Sequence, residues 1–78
     1  MSIRRLYNKS HQGSCFQGDD PEAMIINIRG ALPASVVSEF DALCDIKINN
    51  GFSYLDILLD QEVLSFLDNY NISVTVEF

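Results

Sequence analysis

The side chains equipped for chemistry fall into three small groups. His11 and Cys15 stand four positions apart in a glycine-bearing stretch, Gln12-Gly13-Ser14-Cys15-Phe16. An imidazole that takes the proton of a thiol makes a sulfur nucleophile. Asp19, Asp20 and Glu22 offer carboxylate oxygens to a hard cation. Asp56 and Asp60, one helical turn apart, have the spacing of an acid and base pair. Each set falls short of what its chemistry requires. His11 is the only histidine, and Cys15 and Cys44 make no CxxC, which leaves no four-ligand set for zinc. The carboxylates at 19, 20 and 22 lack the spacing and length of a calcium loop. Asp56 and Asp60 have no surroundings that would part their pKa values. There is no GxGxxG and no P-loop to hold phosphates. The residue types therefore predict no catalytic site, no metal and no cofactor, and a protein that is not an enzyme.

Length sets the next bound. The chain has 78 residues, 47% hydrophobic and 21% charged, the profile of one globular domain. A domain of this size buries only about 63% of the surface of its open chain. Self-association is one way to add to so small a core. No apolar run approaches the roughly 20 residues of a membrane helix, so no membrane partner is expected. Met1 to Ser10 carries Arg4, Arg5 and Lys9 but no apolar stretch before a small-residue cleavage site, which is not a secretory signal. Two cysteines do not make a secreted disulfide framework, so both are read as reduced thiols in the cytoplasm, with Cys44 in the core.

Charge is unevenly placed. The formal net charge is −6, and residues 30–78 hold one cation, Lys47, against eight carboxylates. A body of that sign repels phosphate backbones and attracts basic partners.

Residues 1–23 read as an arm, flexible or strand-forming. Asn8 to Glu22 collects Gly13, Gly18, Asp19, Asp20 and Pro21, the residues of turns, and Ile3 to Tyr7 is a candidate edge strand. From Met24 to Phe78 the pattern is that of a domain. Met24, Ile26 and Ile28 alternate with Ile25, Asn27 and Arg29, which predicts a strand with one buried face. Pro33 opens a helix whose apolar stripe is Val36, Val37, Phe40, Leu43 and Cys44. Asn50-Gly51 between Ile46–Asn49 and Phe52–Ile57 predicts a type I′ hairpin with Ile46, Ile48, Leu55 and Ile57 on its buried face. Asp60 is a helix N-cap ahead of Val63, Leu64, Leu67 and Tyr70, and Ile72, Val74, Val76 and Phe78 alternate as a last strand. A competing reading runs one helix from Ser53 to Tyr70, with Ser53 and Asp56 as its capping box. The hairpin reading gives β-α-β-β-α-β, a two-layer ferredoxin-like α+β sandwich with both helices on one face of an antiparallel sheet.

On that fold the open sheet face carries Ile25, Asn27, Arg29, Lys47, Phe52, Tyr54, Asp56 and Leu58. The segment Asn50-Gly51-Phe52-Ser53-Tyr54-Leu55-Asp56-Ile57 resembles the RNP1 motif of RNA-recognition-motif domains. The resemblance implies that Phe52 and Tyr54 stack on the bases of single-stranded RNA. It departs from the motif where Asn50 replaces the basic residue and Ile57 the final aromatic, and the acidic charge opposes the phosphate contacts that dominate such affinity. The leading expectation is a small acidic protein-interaction module, either a homodimer through the open sheet face or an inhibitor of a basic partner protein. Single-stranded RNA binding by Phe52 and Tyr54 is the alternative.

Overall fold

The computed structural model describes the backbone of residues 5–9 and 15–77 and the side chains of residues 17–77. Two strands come first, β1 (Arg5–Lys9) and β2 (Cys15–Gly18). Four helices follow, α1 (Pro21–Ala31), α2 (Ala34–Asn49), α3 (Tyr54–Leu59) and α4 (Gln61–Asp68), and β3 (Ser73–Glu77) returns to the sheet. The sheet is antiparallel in the order β2-β1-β3, with Leu6 opposite both Gly18 and Val76. His11 and Arg4 lie outside the described residues, and Cys15 is described only as backbone of β2.

This arrangement overturns the ferredoxin-like β-α-β-β-α-β sandwich at three of its four expected strands. Met24–Ile28 is helix. Asp20 caps it by accepting a hydrogen bond from the Glu22 amide, Pro21 supplies a preset first turn, and Met24, Ile25, Ile28 and Ala31 form the buried stripe. A period of two would bury Ile26 with Met24 and Ile28 and leave Ile25 outside, whereas Ile26 is 61% exposed and Ile25 is buried. A period of 3.6 fits that burial, and the Asp20 cap and Pro21 start the helix.

The expected hairpin is instead the end of α2. Gly51 has φ of 89°, but Asn50 stays at φ −93°, whereas a type I′ turn needs both residues positive. The Gly51 amide donates to the Ile48 carbonyl at 3.0 Å and the Phe52 amide to the Lys47 carbonyl at 3.0 Å, which is the paired closure of a Schellman turn. Ile46 and Ile48 therefore belong to a 16-residue helix. Of the residues expected in the third strand, Tyr54–Ile57 lie in α3, which is opened by the capping box at Ser53: its hydroxyl accepts from the Asp56 amide at 3.2 Å, and the Asp56 carboxylate accepts from the Ser53 amide at 2.9 Å. One continuous helix to Tyr70 is interrupted at Asp60. Its backbone leaves the helical region, and its carboxylate accepts from the Val63 amide to begin α4. The helix expected from Pro33, the helix begun at Asp60 and the last strand are present, and α4 ends in a second Schellman turn with Asn71 at φ 61°.

α1 packs on β1, β2 and α3, while α3 and α4 pack on β3, so the helices form a layer over one side of the sheet. Half-buried Val74 and Val76 face that layer, and Ser73 and Thr75 are exposed. Phe40 of α2 is fully buried and stacks on Phe66 of α4 with centroids 6.1 Å apart; Phe66 in turn meets Tyr70 at 5.4 Å. Lys47 joins α2 to the start of α4. Its ammonium lies 2.7 Å from Glu62 and 3.2 Å from Asp60, and 5.4 Å from the centre of the Phe52 ring.

Two outcomes follow. A chain of this size has about 4–12 kcal/mol of stability in all. Phe40→Ala should remove about 3–5 kcal/mol of it, read as a large fall in the urea midpoint. Acid should also lower the protein's stability. Hydrogen bonds from Arg29 to Asp41 and from Ser53 to Asp56 hold those two carboxyls below their ordinary range. Burial pushes Asp60 up, but its bonds from Lys47 and the Val63 amide bring it below that range as well. The unfolded chain then binds more protons than the folded one below about pH 4, so stability present above that pH is lost as pH falls. In Lys47→Met the acid-induced fall in thermal midpoint should be smaller than in the wild type, because Asp60 no longer has its ammonium partner.

Candidate functional site

The eight residues expected on one open sheet face do not share a face, because none of them lies on a strand. Ile25 and Leu58 are core residues. Asn27 is half-buried on α1, and Asp56 is the capping carboxylate of α3. Lys47 is held over Phe52 and between Asp60 and Glu62, and Phe52 is half-buried beneath it. Phe52 precedes the Ser53 cap and Tyr54 opens α3, so the RNP1-like segment does not set two aromatic rings on a strand as base-stacking platforms. Tyr54 alone among the eight is a large apolar residue left exposed.

Tyr54 belongs to a different surface. α2 stands off from α1, which packs closely on α3 instead, and the gap is a groove of about 320 Å³. From α1 the groove takes Glu22, Ile26 and Arg29, spaced i, i+4, i+7, with Ile25 beneath. From α2 it takes Asp41, Asp45 and Ile48 at the same spacing, with Cys44 beneath. Each helix thus turns one stripe toward the gap. At one end the stripes are joined: the Arg29 guanidinium donates to both oxygens of Asp41, at 2.6 and 2.8 Å. That bidentate geometry raises the Arg29 pKa and lowers that of Asp41, chiefly through the hydrogen bonds themselves. Away from the bridge the rim carries Ile26, Ile48 and Tyr54, all substantially exposed, beside Glu22 and Asp45.

No protein-family model, curated protein or solved structure matches the chain. The groove's own chemistry is therefore what characterises it. It joins apolar surface to carboxylates, and its one cation is already engaged. A second hollow, of about 300 Å³ between α4 and β3, is lined by Gln61, Ser65, Ser73 and half-buried Leu64 and Val74, with none of the large exposed apolar side chains. Among the described residues no three His, Cys, Asp or Glu side chains gather to hold a metal ion. Asp20, offered above as a cation ligand, is the cap of α1. No helix among the described residues is long and apolar enough to cross a membrane.

Sequence reasoning missed Ile26 and Ile48 as surface residues because it placed Ile48 in a strand core and Ile26 on a buried strand face. The signal was present in the stripes Glu22-Ile26-Arg29 and Asp41-Asp45-Ile48, which become visible only once both segments are read at helical period.

Cys44 tests the groove floor. It is a free thiol, buried, and burial with the neighbouring Asp41 and Asp45 charges pushes its pKa up to about 11. In a Cys15→Ser variant, Cys44 should react with an alkylating probe at pH 8 far more slowly than the same chain in denaturant. Equal rates would show an open floor.

Proposed function

We propose that this chain is a small acidic protein-interaction module that binds a basic partner protein, and that it works in the reducing cytoplasm without catalytic chemistry of its own. The observation that carries this reading is the groove between α1 and α2, where exposed Ile26, Ile48 and Tyr54 sit beside Glu22 and Asp45. Large apolar side chains held in water on the rim of a concavity are a feature of association surfaces. Carboxylates around them favour a partner with lysine or arginine, and the net charge of −6 steers such a partner from a distance. The partner gains apolar burial at the centre and ion pairs at the edge, the usual division of an interface. A thiol kept deep and protonated at Cys44 takes no part beyond packing.

The same charge disfavours RNA, whose binding relies on phosphate neutralisation. Sedimentation separates the two. At about 50 mM salt the protein should shift with a peptide of lysine and leucine and stay unchanged with mixed-sequence single-stranded RNA, and the peptide complex should weaken as salt rises to about 0.5 M. A shift with RNA and none with the peptide would overturn the reading in favour of nucleic acid.

A further inference from the structure

We propose that the occupant of the α1/α2 groove is an amphipathic helix of the partner, basic on its flanks, lying along the gap between the two helices. The inference rests on the basic-partner reading and gives that partner a shape. The groove's dimensions point to it. Glu22 to Arg29 and Asp41 to Ile48 are each eight residues, seven steps apart end to end, about 10 Å at about 1.5 Å rise per residue. A partner helix covers that length in two turns and presents three side chains to it, at i, i+4 and i+7. An extended strand would cross it in about three residues and set only alternate side chains inward. The walls are themselves helices turning matched stripes toward the gap, with the buried side chains of Ile25 and Cys44 as its floor. A third helix laid there would contact both stripes at once, which is the helix-in-groove mode of recognition.

Charge chooses among possible helices. Glu22 and Asp45 flank the gap, and Asp41 is held at its end by Arg29. The rim is net negative, so the helix that fits has apolar residues on its inner stripe and lysine or arginine beside them. The chain's own helices are poor candidates. Residues 30–78 carry eight carboxylates to one cation, and a second copy would bring like charge to the rim.

The test uses two peptides of identical lysine and leucine composition, one with leucines at i, i+4 and i+7 and one scrambled. The wild-type protein should bind the periodic peptide at least about tenfold more tightly than the scrambled one. Amide shift changes on binding should concentrate at residues 22–29, 41–48 and 54, and the peptide should gain helical circular dichroism. Ile26→Asp with Ile48→Asp should weaken binding by about tenfold or more, whereas Ile46→Asp, also exposed on α2 but outside the groove, should leave it unchanged. The wild-type shift map keeps the test valid if the double variant does not fold. Equal binding of both peptides, or shift changes elsewhere, would overturn the helix-in-groove inference and leave the basic-partner reading standing. Binding of neither peptide would overturn both, and concentration-dependent dimerisation blocked by Ile26→Asp would make the occupant a second copy.

Discussion

Lys47 is the only cation among residues 30–78, and the helical layer depends on where it is held. Its carbonyl accepts the Phe52 amide and so closes α2, while its ammonium reaches Asp60, whose carboxylate caps α4. One residue thereby links the end of one helix to the beginning of another across the short α3. The side chains of Lys47 and Asp60 are only 15% and 17% exposed, so solvent does not fully screen the pair, and each charge offsets part of the other's desolvation. Phe52 lies against the ammonium, which keeps its ring half-buried rather than projecting. The close stacking of Phe40 on Phe66 lies nearer the start of α2, Leu43 and Cys44 carry its packing further along, and the Lys47 corner fixes its end.

What could be read from the residues divides along the same line. Caps and terminal patterns were legible: Asp60 begins α4, Pro33 precedes α2, and Ile72, Val74 and Val76 alternate into β3. Cys44 is in the core. Asn50-Gly51 was not legible, because a type I′ turn and a Schellman closure both require a positive φ at glycine and differ in the residue before it. The conformation of Asn50 is set by whether α2 runs as far as Asn49, and that depends on Lys47 meeting Asp60 thirteen residues later. Met24–Ile28 is ambiguous for a related reason. Five consecutive residues rich in isoleucine satisfy both periods, and the deciding evidence was the Asp20-Pro21 start that a loop reading absorbed. Misreading those two segments was enough to turn a helical layer into a sandwich.

The candidate site inherits that error in full. The acidic character of the chain was evident from composition, but a surface is a matter of which side chains are neighbours, and neighbours change completely between period two and period 3.6. Ile25 and Leu58 moved into the core, Lys47 and Asp56 became parts of the frame, and Tyr54 alone stayed available beside two isoleucines that had been assigned to buried faces.

The groove is a consequence of how this small core is filled. α1 uses its buried stripe of Met24, Ile25 and Ile28 against α3 and the sheet, and α2 uses Phe40 and Cys44 toward the same interior. The outer flanks of both helices, Ile26 and Ile48, are left with no helix between them. A larger domain would lay one of its own helices across such a gap. Among the described residues each helix is already committed to the core, and the Arg29–Asp41 bridge fixes the two walls at one end of the gap without closing it. Apolar surface in that position is costly to leave in water and inexpensive to cover, and its carboxylate border sets the sign of charge that a covering element must carry. Size, which limits what the chain can bury for itself, is thus also what leaves this apolar surface uncovered among the described residues.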